Sequence, residues 1–256
     1  MESPHGAAVS AEDLGLEGPR GRVFRNVTFS AEPGSLVAVE GPSGSGRTCL
    51  LLALTGRMRT TEGHAETGGL RLPGQAAAVR RIAALGPVPA VSELDPAFTV
   101  AEHLNERAQL QGRYGTSLRT LLRPRAERRA AAAARIDEAL DAAGLDLATL
   151  PKSERTSVRD LERLEALRLS VALALIGKPR LLAVDDADLK LSDAERALAW
   201  ALLRSVADAG TTVLAVCSEA PENTHVVRTA PAPSPDTTSP TTDEETVDAH
   251  PETGRA

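Results

Sequence analysis

Residues 36–54 read LVAVEGPSGSGRTCLLLAL. Leu36-Val37-Ala38-Val39 is a short apolar run of the kind that forms a strand buried on both faces. The glycine-rich stretch Gly41–Gly46 breaks it, and Thr48–Met58 turns apolar again as a buried helix. Strand, glycine loop and helix in that order make a phosphate cradle. Glycines let successive N–H groups converge on phosphate oxygens, and the helix start adds partial positive charge. Residues 41–48 fit G-x-x-x-x-G-K-[ST] at every position but one, because Arg47 stands where a lysine is expected. Its charge attracts phosphate, yet a planar guanidinium is bulkier than an ammonium. The expected nucleotide-binding set is Gly41, Pro42, Ser43, Gly44, Ser45, Gly46, Arg47, Thr48 and Cys49.

Outward from this loop, strands alternate with helices. Val27-Thr28-Phe29-Ser30 alternates, and Pro33-Gly34 turns the chain into the Leu36 strand. Residues 76–100 are mixed, with a proline-containing loop at Gly86–Pro96. Helical pattern follows from about 99 to 145, and a further helix is expected from Val158 to Ile176. Leu181–Val184 is a second buried strand, ended by Asp185-Asp186. Ser192 caps a helix over Asp193–Ala209, and Thr211–Val216 is a third buried strand. Such alternation predicts a mostly parallel sheet covered on both faces, with an inserted helical subdomain at about 99–176. Residues 1–12 read as a flexible lead. The Pro/Thr/acidic segment from Pro221 to Ala256 is too poor in apolar residues to order itself, so 221–256 is expected to be a disordered tail.

Bulk properties narrow the function. The net charge of −6 gives no broad basic field, so no nucleic-acid partner is expected. No apolar run reaches the ~20 residues of a membrane span, and the N-terminus lacks a signal pattern. Cys49 and Cys217 read as buried reduced thiols. These features predict a cytoplasmic protein that meets a membrane only through a partner.

Over about residues 13–219 the chain resembles the ATPase subunits of ATP-binding-cassette (ABC) transporters. The resemblance rests on FRNVTFSAEPGSLVAVEGPSGSGRT, FTVAEHL, PRLLAVDDAD and GTTVLAVCSE, in that order. It implies an α/β P-loop NTPase core and ATP with Mg2+ as cofactors. Thr48 and Asp185 would be the metal-binding pair, and Asp186 would stand in the place of the catalytic glutamate, one methylene shorter. Other positions depart from the family. The switch histidine falls on Ser218, and Pro87 lies nearest the coupling glutamine. No aromatic residue lies at 15–22 to stack on adenine. Leu161-Glu162-Arg163-Leu164-Glu165 stands where Leu-Ser-Gly-Gly-Gln is expected, placing two carboxylates against a triphosphate.

The resemblance therefore implies a degenerate subunit that holds ATP-Mg with weak or lost hydrolysis. It would pair as a homo- or heterodimer with a second ATPase subunit, a membrane-spanning transport protein, or both, at the inner face of the membrane. A slow working transport ATPase and a nucleotide-free scaffold or regulator are the alternatives. Arg119, Arg123, Arg125, Arg128 and Arg129 read as a solvated helix face, or else as one turned to a membrane partner's cytoplasmic loop or to anionic lipid headgroups.

Overall fold

The computed structural model describes residues 5–19, 21–114 and 124–229. Five strands form a parallel sheet in the order β6 (Ala83–Leu85), β7 (Leu181–Val184), β8 (Thr212–Cys217), β3 (Leu36–Glu40), β9 (His225–Arg228). β7 and β8 are buried at every residue, as uninterrupted apolar runs require. Four strands form an antiparallel sheet in the order β2 (Gly21–Ala31), β1 (Val9–Gly18), β4 (Glu62–Thr67), β5 (Leu70–Leu72).

The hydrophobic interior is divided by the parallel sheet. One cluster joins the antiparallel sheet to helix α1 (Arg47–Leu54) and includes Phe24, Val39, Leu51 and Val216. The other joins the opposite sheet face to α3 (Val100–Tyr114), α4 (Arg125–Ala142), α5 (Arg163–Leu175) and α6 (Asp193–Asp208). A short helix, α2 (Ala76–Ile82), leads into β6. The expected α/β architecture, with helical segments between the loop and β7, is therefore present.

Three sequence expectations are corrected. Residues 1–12 are not simply a flexible lead, because β1 begins at Val9, and Ala7, Val9 and Ala11 are buried. The preceding segment is tied down as well: Ala7 N–H donates to the Arg180 carbonyl, and the Arg180 guanidinium donates to the carbonyls of His5 and Gly6. Small residues at alternate positions carry a weak apolar signal, which is why the strand is hard to read.

The tail does not begin at Pro221, since β9 pairs in parallel with β3 and Thr229 is buried. His225-Val226-Val227-Arg228 is a strand-sized apolar signal diluted by its polar surroundings. Residues 230–256 lie outside the described residues.

The helix expected from Val158 is interrupted. A 3-10 turn at Val158–Asp160 is followed by extended Leu161 and Glu162, and α5 starts only at Arg163. Of the arginine run, Arg125, Arg128 and Arg129 are exposed, while Arg119 and Arg123 lie outside the described residues.

Candidate nucleotide-binding site

Parallel pairing brings the carboxyl ends of β3, β7, β8 and β9 to one edge of the sheet, where α/β proteins place their ligands. The loop after β3 opens there onto a cavity of about 610 Å3. Gly41, Pro42, Ser43, Arg47, Asp186 and Ser218 line it, together with Glu40, Leu189, Arg228 and Thr229.

Two glycines are sterically required. Gly46 has φ 81°, and a Cβ there would stand 2.8 Å from the Val23 carbonyl oxygen. A Cβ on Gly41 would stand 2.5 Å from Thr229 Oγ1 and 2.7 Å from Ser45 Oγ. Ser45 is fully buried beneath the loop, its hydroxyl 2.6 Å from that of Thr229. Thr229 N–H in turn donates to the Glu40 carbonyl at 2.9 Å. The end of β9 thus braces the loop from below.

α1 begins at Arg47 with no side-chain cap and no acidic residue in its first turn. Its leading N–H groups therefore have no local anion competing for them. The Arg47 guanidinium donates to the Cys217 carbonyl at 2.6 Å, at the end of β8. Thr48 Oγ1 donates to Asp185 Oδ2 at 2.6 Å, and Asp186 N–H donates to Asp185 Oδ1 at 3.0 Å. Asp185 is only 2% exposed. Burial pushes its carboxyl above the usual carboxylate range, the Thr48 hydrogen bond opposes the shift, and the nearby Asp186 charge adds to it.

A hydroxyl and a carboxylate in contact, with Asp186 on the cavity wall, form the hard-oxygen donor set that suits Mg2+ completed by phosphate oxygens and water. Among the described residues no group of three or more His, Cys, Asp or Glu is arranged to hold a metal without such help. Asp185→Asn is expected to raise the melting temperature of the ligand-free protein, because it removes a desolvated charge while the amide oxygen still accepts from Asp186 N–H and the amide NH2 donates to the Thr48 hydroxyl. The gain is on the order of 1 kcal/mol, read by thermal denaturation with and without Mg-ATP.

The remaining expected residues distribute unevenly. Cys49 packs its half-buried side chain against the core and does not line the cavity. Burial and the Asp185 charge raise its thiol pKa, and the Cys217 thiol is pushed up to about 12, so both stay protonated at neutral pH. Pro87 offers only its carbonyl, which accepts from Asp185 N–H at 3.0 Å.

Asp188, Glu40, Arg228 and Thr229 escape the sequence reading. Asp188 is buried, and its Oδ2 accepts from the N–H groups of Ser218 at 2.8 Å and Glu219 at 3.3 Å. It thereby stitches the turn after β7 to the loop after β8. The signal for it is a third acid in Asp185-Asp186-Ala187-Asp188. Arg228 pairs with Glu40 across the cavity rim at 3.2 Å.

Glu162 and Glu165 are not merely solvated charges. They form a capping box: the Glu162 carboxylate accepts from the backbone N–H of Glu165, and Glu165 Oε2 accepts from Glu162 N–H at 2.9 Å. The start of α5 thus carries its own anions.

The ABC transporter family profile matches residues 24–188, which include the loop, β7 with the Asp185 that follows it, and all of α3 to α5.

The chain belongs to the ABC transporter family.

It is a nucleotide-binding subunit of that family in fold and motif order. Among curated relatives, it is 32% identical over 219 residues to the Nod factor export ATP-binding protein I of Ralstonia nicotianae, covering 83% of this chain and 62% of the relative. The protein of the same name from Cupriavidus metallidurans is 33% identical over 193 residues, covering 75% of this chain and 56% of the relative. The chain thus spans roughly three fifths of the length of these relatives.

Among solved structures, a dimeric bacterial ABC transporter cassette superposes with a TM-score of 0.66 at 20% identity, covering 87% of this chain and 94% of that one. A bacterial Atm1-family ABC exporter with ATP bound gives a TM-score of 0.60 at 22% identity, covering 84% of this chain and 34% of that one. At these identities the likeness is one of fold. Among the described residues of this ABC cassette, no helix is long and apolar enough to cross a membrane.

Proposed function

We propose that this ABC cassette binds ATP-Mg at Gly41–Thr48 and acts as the nucleotide-binding subunit of a membrane transport complex, with weak or lost hydrolysis. The observation that carries the reading is the contact of Thr48 with Asp185 beside the glycine-built loop, whose Gly41, Pro42, Ser43 and Arg47 line the cavity while Thr48 and Asp185 lie behind its wall. The uncapped start of α1 and the Arg47 side chain face the polyphosphate. Thr48 and Asp185 would hold the magnesium ion, which would supply charge neutralisation to the phosphates.

Turnover is limited by different groups. Asp186 lines the cavity but is one methylene short of the glutamate that orients water, and Ser218 has no imidazole. At the start of α5, Glu162 engages the N–H of Glu165 and Glu165 engages the N–H of Glu162, so two carboxylates occupy the helix start. Such a helix start repels a second copy's triphosphate, so a partner subunit with a different sequence fits better than a homodimer. Two ATPase subunits and a membrane-spanning protein then make up the complex, at the inner face of the membrane. The curated relatives carry the name Nod factor export ATP-binding protein I, and export is the transport direction this kinship favours.

The test is ATP affinity and phosphate release by the purified chain with magnesium. Micromolar-to-millimolar binding with negligible release is expected. Brisk release would replace this reading by a working transport ATPase, and absence of binding by a scaffold.

A further inference from the structure

Arg228 ends β9 directly opposite Glu40, the last residue of β3. Its backbone is fixed on both sides. Val227 is buried in the core, and Thr229 N–H donates to the Glu40 carbonyl while its hydroxyl meets that of buried Ser45 under the glycine loop. The strand's alternation then turns the Arg228 side chain outward, and it is 75% exposed beside the cavity it lines. One guanidinium nitrogen, Nη2, pairs with Glu40 Oε2 at 3.2 Å, and among the described residues Arg228 has no second ion pair. A guanidinium carries five N–H donors, so this pairing leaves capacity for another anion.

The charges on the cavity wall decide what that capacity is for. Among the described residues the charged side chains there are Glu40, Asp186, Arg47 and Arg228, whose charges cancel. Arg47 sits at the loop end, next to Thr48 and the buried Asp185, and its guanidinium is held on the Cys217 carbonyl at 2.6 Å. A phosphate cradled by the loop would therefore find a cation, a helix start and a metal pair. A terminal phosphate would lie further out, where the wall offers the Asp186 carboxylate and the Ser218 hydroxyl. The carboxylate repels it and the hydroxyl brings no charge. Arg228 is the cation of that wall other than Arg47, on a long exposed stem. The charge that distinguishes a triphosphate from a diphosphate sits on the terminal group, so a contact from Arg228 separates the two ligands, whereas Arg47 serves both.

We propose that Arg228 is a ligand of the terminal phosphate of a bound nucleoside triphosphate, holding Glu40 through one nitrogen of its guanidinium and phosphate oxygens through the others. It gives the cavity its preference for triphosphate over diphosphate, and it does so from β9, the edge strand of the parallel sheet. Glu40 positions the guanidinium. The proposal rests on the reading of Gly41–Thr48 as an ATP-Mg site and adds the residue that decides which nucleotide stays there. It requires no hydrolysis.

The test is calorimetric titration of the full chain and its variants with two probes in magnesium: ADP, and an ATP analogue whose β–γ bridge is an imido group that resists hydrolysis. Arg228→Gln, which can still donate to Glu40, should weaken the triphosphate probe on the order of ten-fold and leave ADP within about two-fold. Arg228→Lys keeps the charge and loses less. Arg47→Ala weakens both probes, since Arg47 serves the phosphates that the two share. The Arg228 side chain is exposed at the sheet edge, so the melting temperatures of its two variants stay at the wild-type value. Equal losses for both probes in Arg228→Gln, or no loss for either, overturn the proposal while the ATP-Mg reading stands. Binding of neither probe by the unmodified chain overturns the nucleotide site, and this inference with it.

Discussion

Ending the chain at Ala220 is expected to lower the melting temperature by about 10 °C and to weaken ATP binding severely, whereas ending it at Thr229 changes neither. The first truncation removes β9, which pairs with β3 from Val37 to Glu40 and buries Val227. It also removes Thr229, leaving the hydroxyl of fully buried Ser45 without its partner 2.6 Å away. An unsatisfied buried hydroxyl costs ~1–3 kcal/mol before the lost strand is considered. The nucleotide effect follows because Gly41 and Ser45 rest directly on Thr229. Thermal denaturation and ATP titration of the two shortened chains check the result, and Thr229→Val isolates the hydroxyl. Equal melting temperatures for the two truncations would show that β9 adds nothing to the sheet.

Replacing Arg47 has the second large effect. Arg47→Ala should cost ATP binding ~2–3 kcal/mol, on the order of a hundred-fold, because a charge-assisted contact to phosphate is lost. Arg47→Lys should act in the opposite direction, gaining ~1 kcal/mol, or several-fold in affinity. The guanidinium is held on the Cys217 carbonyl at 2.6 Å and must leave it or share it to meet phosphate. A lysine is a compact charge on a flexible stem and can reach the phosphates from inside the loop. The lysine protein should still release phosphate poorly, since Asp186, Ser218 and the self-capped start of α5 are unchanged. Both affinities are read by titration with labelled ATP in magnesium. Tighter binding by the arginine protein than by the lysine protein would mean that Arg47 is a fitted phosphate ligand.

Taken alone, the amino-acid sequence determined the parts of this protein whose physics is local. Leu36–Val39 and Leu181–Val184 are continuous apolar runs, and such runs bounded by polar turns make buried parallel strands wherever they occur. Gly41, Gly44 and Gly46 at their spacing specify the loop, because few other backbones tolerate its turns and close approaches. Ser192 with Glu195 specifies the start of α6 through its capping box. From these pieces the family and the side chains of Arg47, Thr48, Asp185 and Asp186 follow by position.

Only the tertiary structure decided the rest, because it depends on groups distant in sequence. Ser45 meets Thr229 across 184 residues, and Arg47 meets Cys217 across 170. β1 is a strand because β2 and β4 pair with it on either side, not because Val9–Gly18 has a strong pattern of its own. Glu162 and Glu165 read as charges on a continuous helix until the chain breaks at Glu162 and each carboxylate turns onto the other's backbone N–H. Arg57 and Arg107 lie 50 residues apart and look like ordinary surface cations. Their shared half-burial on one cavity wall exists only once α3 is laid against the core.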